Sequence, residues 1–321
     1  MSTTLESNTD SVSTNNALHR IRNEFLACRV KFRWFGTSKA LSTDQKSRAA
    51  ESFGADGTAI SAAKRLIDTK HDSYRALTSI KSQISKYWRD SSLPYPEPGI
   101  RLIRNDSVDA FNSSLLGYKN QLAAAVVELD QHYWDLKQAA RVRLGSLYDR
   151  DDYPSSLSNE FQVTWDFPSV NAPDYLRRLS PEIYRRECQR VQSQFTNSVE
   201  LATQMFQDQL AELVEHLVER LSSDESGKQK TFRDSTIENL NTFFARFQQL
   251  NIGSDEGLSD LISQAQSVIH GVRPQQLREN HSLRQRIATQ MSVVQSSLDG
   301  LMIDRPRRNI CLLYTSDAAD E

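Results

Sequence analysis

The stretch PEIYRRECQRVQSQFTNSVELATQMFQDQLAELVEHLVERL, Pro181 to Leu221, reads as one uninterrupted helix. Ser180 offers a capping hydroxyl, Pro181 suits the first helical position, and Glu182 favours the positive end of the helix dipole. After Pro181 no glycine or proline appears until Gly227. Apolar or small residues fall at Tyr184, Cys188, Val191, Phe195, Val199, Ala202, Phe206, Leu210, Leu213 and Leu217. The steps form an eleven-residue repeat that stays in phase with a nearly straight α-helix. Such a helix is roughly 60 Å long, so its stripe needs other helices beside it. The stripe can pack within one chain or between copies, and both arrangements stay open at this point.

Working outward, the chain supplies candidate companions. Residues 58–89 carry Ile60, Ala63, Ile67, Tyr74, Leu77, Ile84 and Tyr87 at helical spacing, and Pro94, Pro96 and Pro98 end that pattern. Ser107 to Tyr148 keeps the same spacing from Val108 and Phe111 through Leu129 and Tyr133 to Leu147. Ser42 or Thr43 caps a short helix, Asp44 to Phe53, that stops at Gly54. Further helices are expected over Ser235 to Leu250, between Gly253 and Gly271, and from Pro274 onward through Leu283, Ile287, Met291, Val294 and Leu298. Three short segments alternate instead: Cys28 to Trp34, Ile100 to Arg104, and Val163 to Phe167. The expected fold is mainly α with a small β-sheet. It is a long antiparallel helical hairpin or coiled coil, with three short strands near one end and a helical C-terminal lobe.

Composition agrees. Hydrophobic content is 38% and charged content 25%, with 11 Gly and 9 Pro, which suits long striped helices better than an all-β or loop-rich chain. The longest apolar run, Leu122 to Val127, is too short to span a membrane. Residues 1–16 are rich in Ser, Thr and Asn, read as a disordered, non-secretory start, so the expected location is cytoplasmic. Residues 17–222 read as an elongated helical domain with the small sheet, and 223–310 as the C-terminal lobe. Residues 311–321, from Cys311 to Glu321, match one reading frame of a transposase sequencing adapter and are expected to be an artefact.

Charge is the most informative chemical feature. Residues 17–104 hold 17 Lys or Arg against 8 Asp or Glu, while 105–180 hold 7 against 11. Arg29, Lys31 and Arg33 would project from one side of a strand, followed by Lys39, Lys64 and Arg65. These six are the candidate residues for an anionic partner, with nucleic acid as the second functional reading. Base stacking would need Trp34, Phe35, Tyr87 or Trp88 exposed. The competing reading is internal, with these cations paired to Asp149, Asp151 and Asp166.

Other constellations favour ordinary structure. Glu212, Glu215, His216 and Glu219 cluster within two turns, but position 213 is Leu and the Glu-x-x-His pair of di-metal bundles is missing. Glu128 and His132 read as a surface i, i+4 pair. No hydrolase, zincin or Walker motif occurs, so neither catalytic residues nor a cofactor is expected. Gly54-Ala-Asp-Gly57 reads as a helix-capping turn, and Cys28 and Cys188 as core residues.

Val30-Lys-Phe-Arg-Trp34 with Gly36 and Lys39, then Ala62-Ala-Lys-Arg-Leu66, then Gly99-Ile-Arg-Leu-Ile103, carry a family resemblance over most of residues 25–303. The chain resembles an uncharacterised helical family of bacterial, plasmid and phage proteins, often encoded beside MoxR-type AAA ATPases and von Willebrand factor A domain proteins. The resemblance implies a cytoplasmic, non-enzymatic adaptor or accessory protein with one of these as protein partner, and carries over no catalytic residue.

Overall fold

The computed structural model describes residues 16–222, 230 and 232–303, and the expectations for residues 1–15, 223–229 and 304–321 lie outside them. The architecture is mainly α with a small antiparallel sheet, as the patterning required. Contacts divide the described chain into two compact units. One is Arg22–Phe195, the sheet unit; the other gathers the residues up to Ile21 with those from Thr196 onward, the helical unit. The dividing line therefore falls inside the long helix rather than after residue 222.

A first helix, α1, covers residues 16–24 and leads straight into β1, Phe25–Arg33. The sheet unit is built on β1. Its first half pairs with β5, Arg101–Arg104, and its second half with β6, Gln162–Asp166; β4, Leu93–Pro94, flanks β5. The order is β4-β5-β1-β6, antiparallel throughout. These include the three alternating segments of the sequence. A separate ribbon pairs β2, Ser38–Ala40, with β3, Ala63–Arg65. Between them lies α2, Thr43–Glu51, with a capping box in which Gln45 N donates to Ser42 Oγ and Ser42 N to Gln45 Oε1.

The helix expected from Thr58 does not start there. Residues 63–65 are drawn into β3, where Leu41 N donates to the Ala62 carbonyl and Leu66 N to the Thr37 carbonyl. Only after the Asp68 carboxylate accepts from Lys70 N does α3, Asp72–Asp90, begin. Helix α4, Val108–Gln131, packs along α3, burying Phe111, Leu115 and Leu122 beside Leu77 and Ile84, with Tyr87 stacked on Phe111 at 5.6 Å. The expected continuous helix to Tyr148 breaks at His132, and α5, Tyr133–Leu144, ends at Gly145 with φ +52°. Tyr133 just beyond the break is buried, with its hydroxyl on the Pro154 carbonyl at 3.0 Å. A four-residue α6, Leu176–Leu179, precedes α7, Pro181–Leu221, whose 41 residues match the opening stretch end to end. Only α7 exceeds 30 residues among the described helices, so neither companion stretch, 58–89 nor 107–148, forms one helix of that length.

The helical unit packs the later part of α7 with α8, Ser235–Leu250, α9, Glu256–Ile269, α10, Pro274–Glu279, and α11, His281–Ile303. Phe206 meets Phe247 edge-on at 5.0 Å and Phe243 at 6.1 Å. The single helix expected after Pro274 is two, because Asn280 leaves helical geometry and its side chain accepts from Leu283 N to start α11. Arg284, 3% exposed, reaches back across the end of α7 and donates to the carbonyls of Leu221, Arg220 and Lys230. Those carbonyls belong to the last turn of α7 and the chain after it, so the guanidinium both satisfies orphan acceptors and complements the negative end of the dipole.

Candidate functional site

The six basic candidates all lie in the sheet unit, and five are engaged by carboxylates of the same chain. On β1, Arg29 forms a fork on Asp166 of β6, its register partner, with Nε to Oδ1 at 3.0 Å and Nη2 to Oδ2 at 2.8 Å. Two parallel charge-assisted bonds are the strongest geometry available to an arginine. Lys31 Nζ lies 3.6 Å from the same carboxylate, and Arg33 Nη2 lies 3.7 Å from Glu160 Oε1. The hydrogen bonds from Arg29 hold Asp166 below the usual carboxylate range.

The ribbon places Lys39 directly opposite Lys64. Two like charges at that position repel. Asp152 resolves the conflict: its carboxylate, fully buried, lies 2.5 Å from each ammonium group, and Lys64 Nζ also donates to the Leu147 carbonyl at 2.8 Å. One Asp152 oxygen lacks an ideally directed hydrogen bond, but at that separation from Lys64 the Coulomb attraction does not depend on the angle. Burial pushes the Asp152 carboxyl up, and the two lysines more than reverse this, leaving it below its ordinary value. Arg65 stands apart: its carbonyl accepts from Arg143, and its exposed guanidinium has no ion pair among the described residues.

The internal reading of this cluster was right about Asp166 and named the wrong aspartates in the acidic loop. Asp149 instead accepts from Asp151 N to cap a 3-10 turn, and that turn carries Asp152 inward. The aromatic residues proposed for stacking are packed as well. Trp34 lies edge-on to Phe161 at 4.9 Å with Lys81 Nζ over its other ring surface at 4.6 Å, and Phe35, Tyr87 and Trp88 also pack on the core.

The remaining candidates take ordinary places. Glu219 pairs with Lys230 at 3.1 Å, and Arg220 Nε donates to His216 Nε2 at 3.4 Å. His132 and Glu128 meet at 3.2 Å as the i, i+4 pair expected of them. Among the described residues no group of three or more His, Cys, Asp or Glu side chains is arranged to hold a metal ion. Burial pushes the Cys28 thiol up to about 12, so it is held as thiol at neutral pH. Cys188, expected in the core, is exposed. In the Gly54–Gly57 turn, Gly54 ends α2 with φ +62°, and a Cβ on Gly57 would come within 2.8 Å of the Ser47 backbone. A recess of about 350 Å³ beside Arg284 is lined by His281, Gln285, Thr289 and Ser292 among others, with no carboxylate among them.

What sequence reasoning missed is apolar. Leu116 and Val127 on α4, Trp134 and Val142 on α5, and Leu179 and Ile183 near the start of α7 all stand at 45% exposure or more. Val127 alone had a signal, the run Leu122 to Val127, which continues past the packed side of α4; the other five lie outside that run. No described helix is long and apolar enough to cross a membrane. No family model, curated protein or solved structure matches the chain.

Proposed function

We propose that this chain is a non-enzymatic helical adaptor, working in the cytoplasm as an accessory to an AAA ATPase machine of a bacterial, plasmid or phage system. The observation that supports it is the surface balance just described: five of the six candidate cations are already neutralised within the chain, while Val142 on α5, Leu179 on α6 and Ile183 at the start of α7 are left to solvent. Contiguous exposed apolar surface is a feature of protein-binding faces. The resemblance carried by Val30–Trp34, Ala62–Leu66 and Gly99–Ile103 gives the partner class: a MoxR-type ATPase or a von Willebrand factor A domain protein.

The test is co-purification of the full chain with each of these two proteins encoded beside its gene. Retention of either, lost on Val142→Asp together with Leu179→Asp, is the expected result. Passage of both through the column without retention would overturn the reading. The nucleic-acid reading predicts a salt-sensitive mobility shift weakened by Arg29→Glu and Arg33→Glu. Its support is reduced to Arg65 and the unpaired part of the basic surface.

A further inference from the structure

Among the described residues nothing covers the outer face of α4. At 100° per residue, Leu116, Asn120, Ala123, Ala124, Val127 and Gln131 fall within about 50° of one line along the helix. All six are exposed, and none is charged. Trp134, in the first turn of α5, extends the run at 68% exposure. The opposite side of α4 carries Phe111, Leu115, Leu122, Val126 and Leu129 in the core. Ser113 falls on the same line, and from Ser113 to Gln131 the face is uncharged with Leu116 and Val127 exposed on it, although Asp109 ends it in the first turn. A helix with apolar residues on both sides is suited to being covered on both.

Gly117 borders the same face. Mid-helix glycine disfavours the helix, and nothing among the described residues requires it, because an added Cβ would meet none of their atoms within 4 Å. Glycine and alanine side by side let a second backbone approach closely.

Charge identifies the second backbone. Between Ala110 and Trp134 the fixed charges are Lys119, Glu128 and Asp130. Lys119 and Asp130 lie eleven residues apart, about 20° from each other around the axis, so they share one edge of the outer face. Lys119 lies over Trp165 at 6.0 Å, and Asp130 accepts from Ser156 Oγ and Leu157 N; neither has an ion pair among the described residues. In an antiparallel helix pair related by a two-fold axis, residues on one edge meet the same edge of the other copy. An axis passing beside Ala124 and Ala125 sets Lys119 of each copy toward Asp130 of the other, twice over, while Glu128 faces the neutral Gln121. A parallel pairing would set each edge against the opposite edge of the other copy, bringing Asp130 of one to the level of Glu128 of the other, a like-charge contact.

We propose that the outer face of α4 is an isologous dimer interface, covered by α4 of a second copy in antiparallel register, with Ala123 and Ala124 at the crossing and Lys119–Asp130 pairs at its edge.

Sedimentation equilibrium of the full chain tests this up to about 100 μM, the range for a modest helix-pair affinity. A dimer is expected. Ala124→Glu, which puts like charges face to face at the crossing, should raise the dissociation constant by at least about 100-fold, with the thermal melt unchanged in samples dilute enough for the wild type to be monomeric. Lys119→Glu, against Asp130, should raise it by about 3- to 10-fold, and Lys119→Gln by less. Should Ala124→Glu alter the melt, the Lys119 pair decides, since that side chain is already exposed. A monomer at the highest concentration overturns the proposal, as does a dimer indifferent to both substitutions. The isolated chain is used throughout, so a monomer would remove the dimer and leave the adaptor reading to its own co-purification test.

Discussion

Asp152 illustrates how one side chain can change the meaning of a basic segment. Its carboxylate is buried between Lys39 and Lys64, and removing one member of a buried ion cluster leaves charges without compensation. Asp152→Asn is therefore expected to cost about 3 kcal/mol in urea unfolding at pH 7. The carboxyl is held below its ordinary value in the fold, so as pH falls the unfolded chain takes up the proton first. Its contribution is complete above about pH 4 and is lost as the pH falls through the lower, folded value. The gap between wild type and Asp152→Asn should accordingly narrow toward about pH 3; an equal gap at both pH values would contradict this account. Arg284 makes the complementary case. It is a buried cation satisfied by carbonyls alone, and burial lowers its pKa from the usual arginine value without discharging it. Arg284→Met frees the carbonyls at the end of α7, and a loss of about 3 kcal/mol is expected in the same unfolding measurement.

At the level of elements, α7 tests how well a stripe can be read. The buried apolar residues along it are Val191, Phe195, Val199, Ala202, Phe206, Leu210, Val214, Leu217 and Leu221. The eleven-residue reading placed Leu213 on that line, whereas Val214 is fully buried and Leu213 only half-buried. Val214→Ala should therefore destabilise by about 2 kcal/mol, and Leu213→Ala by about half as much although it deletes more atoms. Thermal unfolding of the two variants decides the phase, and a larger loss for Leu213→Ala would restore the simpler repeat. Elements with strong local signals were legible in the sequence: α7 and α8 between their caps, α2 with its Ser42–Gln45 box, and the alternating cores of β1 and β6. The misreadings share a cause. Ile60, Ala63 and Ile67 fit a helical period, but distant partners decide the matter: Thr37 supplies the ribbon bond to Leu66, and Asp152 anchors Lys64. The break at His132 has no glycine or proline to announce it, and Tyr133 finds its hydroxyl partner only at Pro154. In the candidate site Asp166 was legible as an acceptor for the basic segment, whereas its assignment to Arg29 needed the β1–β6 register. The choice of Asp152 over Asp149 and Asp151 was not, because it depends on which way a 3-10 turn faces once the ribbon is in place.

For the molecule as a whole, the sum of charges misleads when read as a surface property. The formal charge is −2, yet residues 17–104 alone carry a surplus of nine cations. Much of the candidate surplus is spent on Asp152, Asp166 and Glu160, and the aromatic rings of the same segment are packed rather than free. The two classes of partner therefore separate by salt. Nucleic-acid binding through several phosphate contacts weakens by orders of magnitude over a few-fold rise in salt, because counterions must be displaced. Association through an apolar face is screened far less and can strengthen as salt disfavours exposed apolar surface. Retention of the ATPase or von Willebrand factor A partner is expected to survive a rise from about 0.1 to about 0.5 M salt, at which the Debye length falls below roughly 5 Å. Single-stranded and duplex DNA should elute early in the same gradient. Partner release that tracks salt with the steep slope of counterion displacement would return the basic segment to the centre of the protein's function.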